Sequence, residues 1–282
     1  MPETTVTDSD TYWNGDGGDI WVRNMDRSEA AFVSMTAALM ARAAVRQGEH
    51  VLDIGCGGGV TSQVLAERAG PDGEVLAVDI SAPILRVARQ RHDRNANLHF
   101  LQADAATADL GEPRFDLIFS RFGVMFFADP LLAFTNLRRA LKPTGRMVFL
   151  CWRAMKQNSW IAEATGAAVS TLGEEHRPAP PADPFAPGPF ALADLERTAG
   201  ILRGAGFGDV TVEPLDDFMW LGDLEQAVNY LKSMGPIAQA MPKVSADQEQ
   251  AVDQAMRAAL ARYLVDGEVR APSATWIVTA TA

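Results

Sequence analysis

The sequence Val51-Leu52-Asp53-Ile54-Gly55-Cys56-Gly57-Gly58-Gly59 decides the fold of this 282-residue chain. Apolar residues flank one acid and run directly into glycines, a pattern typical of a buried parallel strand that ends in a tight turn. Glycine adopts backbone angles that are closed to other residues, and a helix is predicted from about Val60. Backbone N–H groups and a helix N-terminus would therefore face a ligand at the carboxyl end of the sheet.

A second acid follows the next apolar run. Asp79 comes directly after Val75–Val78, 24 residues beyond Gly55, which is near the spacing of an acid that accepts hydrogen bonds from ribose hydroxyls. A dinucleotide turn would read Gly-x-Gly-x-x-Gly, but Val60 stands at the last position and Asp53 would repel a pyrophosphate. An acid at Asp53 suits a cationic or zwitterionic ligand, so the pattern predicts a nucleoside-bearing cofactor with an ammonium group.

The composition argues against several classes of protein. Lys plus Arg is 25 and Asp plus Glu is 36, so the net charge of −11 disfavours a nucleic-acid partner. No apolar run approaches the ~20 residues that span a bilayer, and the polar start Met1–Thr5 does not resemble a secretory signal. Two cysteines and four scattered histidines match no disulfide framework or metal-ligand spacing. We expect a cytoplasmic monomer or homodimer that binds no metal and acts on a small molecule.

Strands and helices alternate along the first half of the chain. The predicted strands are His50–Ile54, Glu74–Val78, Leu98–Gln102, Phe115–Ser120 and Arg146–Cys151. The predicted helices cover about Asp26–Arg46, Val60–Ala69, Ser81–His92 and Asp129–Leu141, with Ser81 and Asp129 as N-caps. Short connections between alternating elements imply a mainly parallel sheet with right-handed crossovers.

The regular alternation of strands and helices ends after the fifth predicted strand. The predicted later helices are Ser159–Leu172, Leu192–Leu202, Leu224–Met234 and Ala246–Leu264, and the predicted later strands are Asp209–Pro214 and Thr275–Thr281. Six prolines fall within Arg177–Phe190. A loop this long without regular structure is typical of a lid or a binding loop, or of disorder.

At this point the chain resembles the class I S-adenosylmethionine-dependent methyltransferases. It is most similar to the small-molecule branch that includes the ubiquinone/menaquinone-biosynthesis enzymes. The matching segments are Val51–Gly59, Asp79, Asp104-Ala105, Phe115–Ser120 and Leu141–Arg146. The resemblance is specific over residues 49–151 and becomes weak after about residue 160. Some members carry an acid-proline-proline-aromatic motif after the fourth strand; Arg121–Phe127 stands there instead, which argues against adenine or glutamine-amide acceptors.

The resemblance implies an α/β fold of the Rossmann-like, doubly wound type. Its mainly parallel sheet would have seven strands, the last antiparallel, with a helical cap insertion. We expect an N-terminal helical segment over 1–48 that closes the cofactor site and a core over 49–154 and 190–282. Segments 155–189 and 216–270 would form the cap and line the substrate pocket.

The resemblance also implies roles for individual residues. The expected contacts to S-adenosylmethionine are Trp21, Asp53, Gly55, Cys56, Gly57, Asp79, Ile80, Asp104, Ala105 and Ser120. Among them, Asp53 and the glycine backbone would hold the amino-acid part, Asp79 the ribose, and Asp104 with Ala105 the adenine edge. Ser120 would lie beneath the methionine part. From the residues alone, Asp104 is also explained, though less readily, as an N-cap of a short helix over Ala105 and Ala106.

Aromatic residues predict the acceptor side of the site. Tyr12, Trp13, Phe122, Phe126, Trp152 and Trp160 fall in segments that converge on the carboxyl edge of the sheet, where such folds bind ligands. They favour a moderately apolar acceptor, aromatic or quinol-like, although each is also explained as a core residue. Arg121 is a candidate for an acceptor carboxylate or phenolate, or for a plain salt bridge. His176 is a candidate base, or an exposed loop histidine.

Three functions compete. The first is methyl transfer to a small acceptor at O, N or C. The second is a protein or enzyme that binds S-adenosylmethionine without methyl transfer, which leaves the same cofactor residues. The third is a nicotinamide-dependent oxidoreductase, disfavoured by Asp53, by Val60 and by the absence of a Tyr-x-x-x-Lys pair.

Overall fold

The computed structural model describes residues 9–92, 94–179 and 183–282. Its α-helices within these ranges are α1 (Ser9–Asn14), α2 (Asp16–Ala31), α3 (Val33–Ala43), α4 (Val60–Ala69), α5 (Ala82–Arg91), α6 (Pro130–Ala140), α7 (Ser159–Leu172), α8 (Leu195–Gly204), α9 (Leu224–Met234) and α10 (Ala246–Leu260). Its strands are β1 (His50–Ile54), β2 (Glu74–Asp79), β3 (Leu98–Gln102), β4 (Phe115–Arg121), β5 (Leu141–Trp152), β6 (Gly208–Trp220), β7 (Leu264–Val265) and β8 (Glu268–Thr281).

One sheet organises the molecule. Its strand order is β3-β2-β1-β4-β5-β8-β6, the first five strands are mutually parallel, and β8 is antiparallel to both β5 and β6. The two-residue strand β7 pairs with the start of β8 outside this order. The doubly wound, mainly parallel sheet with an antiparallel last strand is thus confirmed. Its order reverses between β1 and β4, and a ligand crevice is expected at the carboxyl side of such a switch point.

The strands beside the switch point form because their residues are apolar on both faces. Four of the five residues of β1 are buried, and β4 is buried at five of seven positions. The helices begin at the predicted caps: the Ser81 hydroxyl accepts from the Ile84 N–H, and the Asp129 carboxylate accepts from the Leu132 N–H. These caps direct α5 and α6 away from the same edge of the sheet.

The two C-terminal strands are longer than predicted. β6 runs to Trp220 instead of ending at Pro214, and β8 begins at Glu268 instead of Thr275. They pair with each other from Gly208↔Thr281 to Trp220↔Arg270. The solvent-facing positions of these two strands are polar, because one face of an antiparallel pair need not be buried. The sequence therefore showed no continuous apolar run that would predict their full length. The proposed cap boundaries at 216 and 270 therefore fall inside strands.

The N-terminal segment also differs from its prediction. The single helix expected over Asp26–Arg46 is two helices, α2 and α3, which meet at the non-helical Phe32. α2 begins ten residues earlier than expected, at Asp16. Residues 1–8 and 180–182, parts of the predicted N-terminal segment and lid loop, lie outside the described residues. Within the described ranges no helix is long and apolar enough to cross a membrane.

Candidate functional site

A cavity of about 970 Å³ opens at the carboxyl end of the sheet, beside the switch point. One half is lined by the loops after β1, β2 and β3. The other half is aromatic. The predicted site residues that line the cavity are Tyr12, Trp13, Trp21, Gly55, Gly57, Asp79, Ile80, Asp104, Ala105, Arg121, Phe122, Phe126, Trp152 and Trp160. The structure thus brings together residues from the N-terminus, the core and the cap.

The glycine turn needs glycine for two separate reasons. Gly55 and Gly57 have φ of 64° and 56°, in the left-handed region that other residues avoid. In addition, a Cβ at Gly55 would lie 2.6 Å from the Cα of Gly123, so the loops after β1 and β4 touch backbone to backbone. A side chain at Gly55 would push these loops apart and widen the floor of the cavity.

Asp79 organises the turn from the end of β2. One carboxylate oxygen accepts from the Gly57 N–H at 2.9 Å, and the other accepts from the Ser81 N–H at 2.9 Å. Burial raises the pKa of Asp79, and the backbone hydrogen bonds from Ser81 and Gly57 oppose that rise. Each oxygen keeps a second acceptor position, because a carboxylate oxygen accepts about two hydrogen bonds.

Asp53 does not line the cavity, contrary to the expectation of direct contact. Its carboxylate is 1% exposed and accepts from the hydroxyls of Ser62 at 2.7 Å and Thr61 at 3.0 Å, both on one oxygen. The other oxygen is buried with no hydrogen-bond partner in the described structure. Burial raises the pKa of Asp53 to about 6 despite these hydrogen bonds and the positive charge of Arg121.

Two further expected contacts lie beneath the cavity surface. Ser120 is fully buried, donates to the Ile54 carbonyl at 2.8 Å and accepts from the Val124 N–H. It therefore ties β4 to β1. Cys56 is buried too, and burial raises the pKa of its thiol. Neither side chain lines the cavity, because alternate residues near a strand end face the helices that cover the sheet.

The loop after β3 lines one edge of the first half of the cavity. Asp104 accepts from the Ala106 N–H at 2.9 Å and from the Thr107 hydroxyl at 3.2 Å, so it caps a short turn as the alternative reading had it. It lines the cavity nevertheless, together with the buried Ala105. Asp104 therefore caps the turn and also lines the cavity.

Helices α1 and α2 contribute aromatic side chains to the lining of the cavity. The Ser81 hydroxyl donates to the Trp13 carbonyl at 2.7 Å, and the Asn14 carboxamide bonds both the Ile80 carbonyl and the Ala82 N–H. α1 is thereby attached to the loop after β2. The Trp13 ring meets the rings of Trp21 and Phe126 edge to face, and Tyr12 meets Trp13 in the same way. The result is an aromatic cover over the cavity.

The second half of the cavity is built around Phe122. Its ring stacks on Trp152 at 4.4 Å and 8°, and Phe32 and Trp160 flank this pair. Phe122 has φ of 67°, an uncommon conformation for a bulky residue. Backbone strain of this kind is typical of functional sites. It allows the chain to reverse directly after β4 while the ring faces the cavity.

Arg121 binds side chains of the N-terminal helices α2 and α3. Its guanidinium donates to the Glu29 carboxylate at 2.5 Å and to the Thr36 hydroxyl at 2.8 Å. The side chains of Arg121 and Glu29 are only 8% and 15% exposed. The guanidinium also lies 5.5 Å from the Phe32 ring. The salt-bridge reading of Arg121 therefore describes the structure, although the residue also lines the cavity.

His176 lies in a short 3-10 turn, Glu174–His176, after α7. Its ring approaches the Glu175 carboxylate at 3.8 Å, and the residue is absent from the lining of the cavity. The structure thus places it apart from the other predicted site residues.

The segments 155–189 and 216–270, which were predicted to line the substrate pocket, contribute lining residues that the sequence did not identify individually. Tyr230 and Met234 of α9 line the cavity, as do Pro187, Pro189 and Phe190 of the proline-rich segment. The Tyr230 hydroxyl bonds Ser28 of α2 at 3.1 Å, and burial raises its pKa to about 12. The Gly188 N–H donates to the Met125 carbonyl, which fastens the described part of the segment to the core. No local motif in α9 indicated this role.

Comparisons with known proteins agree with this geometry. A family model described as a methyltransferase domain matches residues 51–145. The ubiquinone/menaquinone biosynthesis C-methyltransferase UbiE of Bordetella avium is 31% identical over 184 residues, covering 59% of this chain and 69% of that protein. The malonyl-[acyl-carrier protein] O-methyltransferase of Marinomonas sp. is 36% identical over 111 residues, covering 39% of this chain and 41% of that protein. The chain spans less than half the length of most such relatives.

Two solved structures share the fold. Phosphoethanolamine N-methyltransferase 2 of Haemonchus contortus, in complex with S-adenosyl-L-methionine, superimposes with a TM-score of 0.62 at 19% identity, covering 100% of this chain and 61% of that one. The YcgJ protein of Bacillus subtilis superimposes with a TM-score of 0.56 at 15% identity, covering 87% of this chain and 97% of that one. At these identities the likeness concerns the fold alone.

Proposed function

Because the chain belongs to the class I S-adenosylmethionine-dependent methyltransferases, in the ubiquinone/menaquinone-like branch, we propose that it transfers a methyl group from S-adenosylmethionine to a small, moderately apolar acceptor. The observation that carries the proposal is the two-part cavity. Its first half is lined by the glycine turn after β1 and by Asp79 at the end of β2, and its second half is lined by stacked aromatic rings. A cofactor and an apolar acceptor would meet where these halves join.

The residues of the first half fit the cofactor. Asp79 keeps acceptor positions for two ribose hydroxyls, and Gly57 leaves room beside the chain. The unpartnered oxygen of Asp53 is a buried acceptor that an ammonium group would satisfy through a bridging water. Asp79, Asp104 and Asp129 line the cavity, while Arg121 is neutralised by Glu29. Such a field suits the net positive charge of S-adenosylmethionine.

Bound S-adenosylmethionine would supply a methyl group on a positively charged sulfur that leaves as a neutral thioether. The chain's contribution is then positioning, which provides large rate enhancements when reacting atoms are held in line. Phe122 and Trp152 would align a planar acceptor, and α1 with its aromatic cover would exclude water. Tyr230 stays protonated at neutral pH and serves as a hydrogen-bond donor rather than as a base.

The roles of the individual site residues are part of this proposal. So are the N-terminal closing segment, a cap whose second part lies between β6 and β8 rather than over 216–270, a cytoplasmic location and a monomeric or homodimeric state. His176 is not retained as a base, because it does not line the cavity. Quinol-like acceptors are favoured by the names of the relatives and by the aromatic half of the cavity.

Ligand binding and product formation test the proposal in sequence. Thermal unfolding is measured with S-adenosylmethionine, S-adenosylhomocysteine and NAD; a ligand at 100 times its Kd adds ~2.7 kcal/mol to the stability. Stabilisation by the adenosyl ligands alone supports the cofactor site, whereas stabilisation by NAD alone overturns it. A panel of phenols, quinol precursors and small amines is then scored for S-adenosylhomocysteine release. Binding without product from any acceptor would favour the alternative of a protein that binds the cofactor without methyl transfer.

A further inference from the structure

The aromatic half of the cavity contains a cation that is already paired. Arg121 is the charged residue among the aromatic side chains of this half, and its guanidinium is held by Glu29 and Thr36. Arginine is the side chain best suited to bind carboxylates and phosphates, because its donors match their geometry. Glu29 lies behind the cavity wall and already accepts a hydrogen bond from the Arg121 guanidinium. The pair as a whole is neutral.

An anionic acceptor would have to compete with Glu29. If it displaced Glu29 from Arg121, it would leave a carboxylate that is 15% exposed without its partner, and an unpaired buried charge is strongly unfavourable. If it did not displace Glu29, it would meet a neutral pair in an apolar surrounding and lose its own hydration. The carboxylates of Asp79, Asp104 and Asp129 elsewhere in the lining add repulsion.

We propose that Glu29 is a specificity-determining residue: by neutralising Arg121 it restricts the acceptor to uncharged, apolar molecules and excludes carboxylates and phosphates. This inference rests on the proposed function, since it assigns the aromatic half to the acceptor. Glu29 would not touch the acceptor itself. It acts only through its effect on Arg121 and is therefore a positioning residue. Ser28, its neighbour on α2, bonds Tyr230, so the same turn of α2 contacts both the core and the cap beside the acceptor.

Two probes with the same ring and different charge test the exclusion. Protein saturated with S-adenosylhomocysteine is titrated calorimetrically at neutral pH with 1-naphthol and with 1-naphthoate. S-adenosylhomocysteine lacks the sulfonium charge and so does not itself attract the anion. The unaltered protein is expected to bind 1-naphthol at least about tenfold more tightly than 1-naphthoate. Equal binding, or no binding of 1-naphthol to the loaded protein, overturns the inference.

Glu29→Gln keeps an oxygen that accepts from Arg121 but removes the charge. Its preference for the neutral probe should fall by about tenfold or more, because an uncompensated guanidinium forms charge-assisted hydrogen bonds with 1-naphthoate. The double variant Glu29→Gln/Arg121→Gln should recover the original preference. Asp26→Asn is the matched control: it removes one negative charge from the same helix, on a side chain that is 83% exposed and paired with Arg91, and should leave the preference unchanged.

The outcomes separate this inference from the proposed function. If S-adenosylhomocysteine stabilises Glu29→Gln normally and the preference does not fall, the role of Glu29 is overturned while the cofactor site stands. If S-adenosylhomocysteine fails to stabilise the unaltered protein, the proposed function itself is overturned. Should Glu29→Gln not fold, Arg121→Gln provides the reciprocal test, since it leaves Glu29 negative. It should bind 1-naphthylmethylammonium about tenfold more tightly than the unaltered protein, and no gain would contradict the inference.

Discussion

Asp53→Asn is expected to stabilise the free protein at neutral pH and to weaken cofactor binding. Burial raises the pKa of Asp53 from 3.8 to about 6, so ionising this carboxyl is less favourable in the folded than in the unfolded chain. One pKa unit corresponds to about 1.36 kcal/mol. The ionised carboxylate therefore costs about 3 kcal/mol of unfolding free energy once the pH is well above 6.

The pH dependence distinguishes this effect from a change in hydrogen bonding. The cost is absent below pH 3.8, grows as the pH rises towards 6 and is constant above it, because the folded state binds more protons than the unfolded state only in that window. About half of it is present at pH 5. The stability difference between Asp53→Asn and the unaltered protein should therefore move in favour of the variant by about 1 kcal/mol between pH 5 and pH 8. The amide oxygen of the variant side chain can still accept from Thr61 and Ser62, and any weakening of these hydrogen bonds lowers the variant's stability about equally at both pH values.

Urea denaturation at the two pH values measures this difference, and calorimetric titration with S-adenosylhomocysteine measures the effect on binding. Binding should weaken about tenfold or more, because the ligand's ammonium group loses a charged acceptor. A stability difference that does not change between pH 5 and pH 8 would refute the argument that an ionised, buried carboxylate is kept for the ligand. Unchanged affinity would refute the assigned role of Asp53.

The remaining predictions concern three other positions. Asp79→Ala should weaken S-adenosylhomocysteine binding about tenfold or more by releasing the Gly57 N–H and removing the ribose acceptor; calorimetry checks this, and the exposed Asp72→Ala should bind normally. Phe122→Gly should be more stable than Phe122→Ala by about 1 kcal/mol, because only glycine adopts the positive φ without strain; equal urea midpoints would contradict the strain. Asn14→Ala should raise the dissociation rate of S-adenosylhomocysteine several-fold by freeing α1 from the loop after β2; stopped-flow fluorescence of the covering tryptophans measures it, and an unchanged rate would exclude a closing role for α1.

Much of the core could be predicted because its signals are local. β1, α4, β3 and α9 begin and end where the sequence predicts. β1, α4 and α9 are each bounded by a glycine or a capping side chain near their own ends, and each buries a continuous run or stripe of residues. In β3 only Leu98 is buried, so its bounds rest on the apolar pattern of its sequence alone. The acids and glycines at the ends of β1 and β2 could be found for the same reason: parallel strands of one sheet deliver their carboxyl ends to one edge.

Other features were decided by partners distant in the chain. The lengths of β6 and β8 depend on their pairing with each other, and outward polar residues conceal it. Whether Asp53 faces the cavity or the hydroxyls of α4 depends on which side of β1 the crevice opens. The position of His176 outside the cavity lining was likewise decided by tertiary structure, because a loop's sequence does not tell where the loop packs.

The sequence by itself determined the fold class, the parallel sheet and the cofactor. These follow from the glycine turn and the buried strands, whose defining residues lie close together in the chain. Only the tertiary structure decided the character of the aromatic half of the cavity. Glu29 and Arg121 are separated by 92 positions, and Ser28 and Tyr230 by 202. Arg121 could be singled out in the sequence, but its partner Glu29 could not, and the Ser28–Tyr230 pair carries no local signal. A charge or a hydroxyl in a sequence has no defined partner until the chain packs around it.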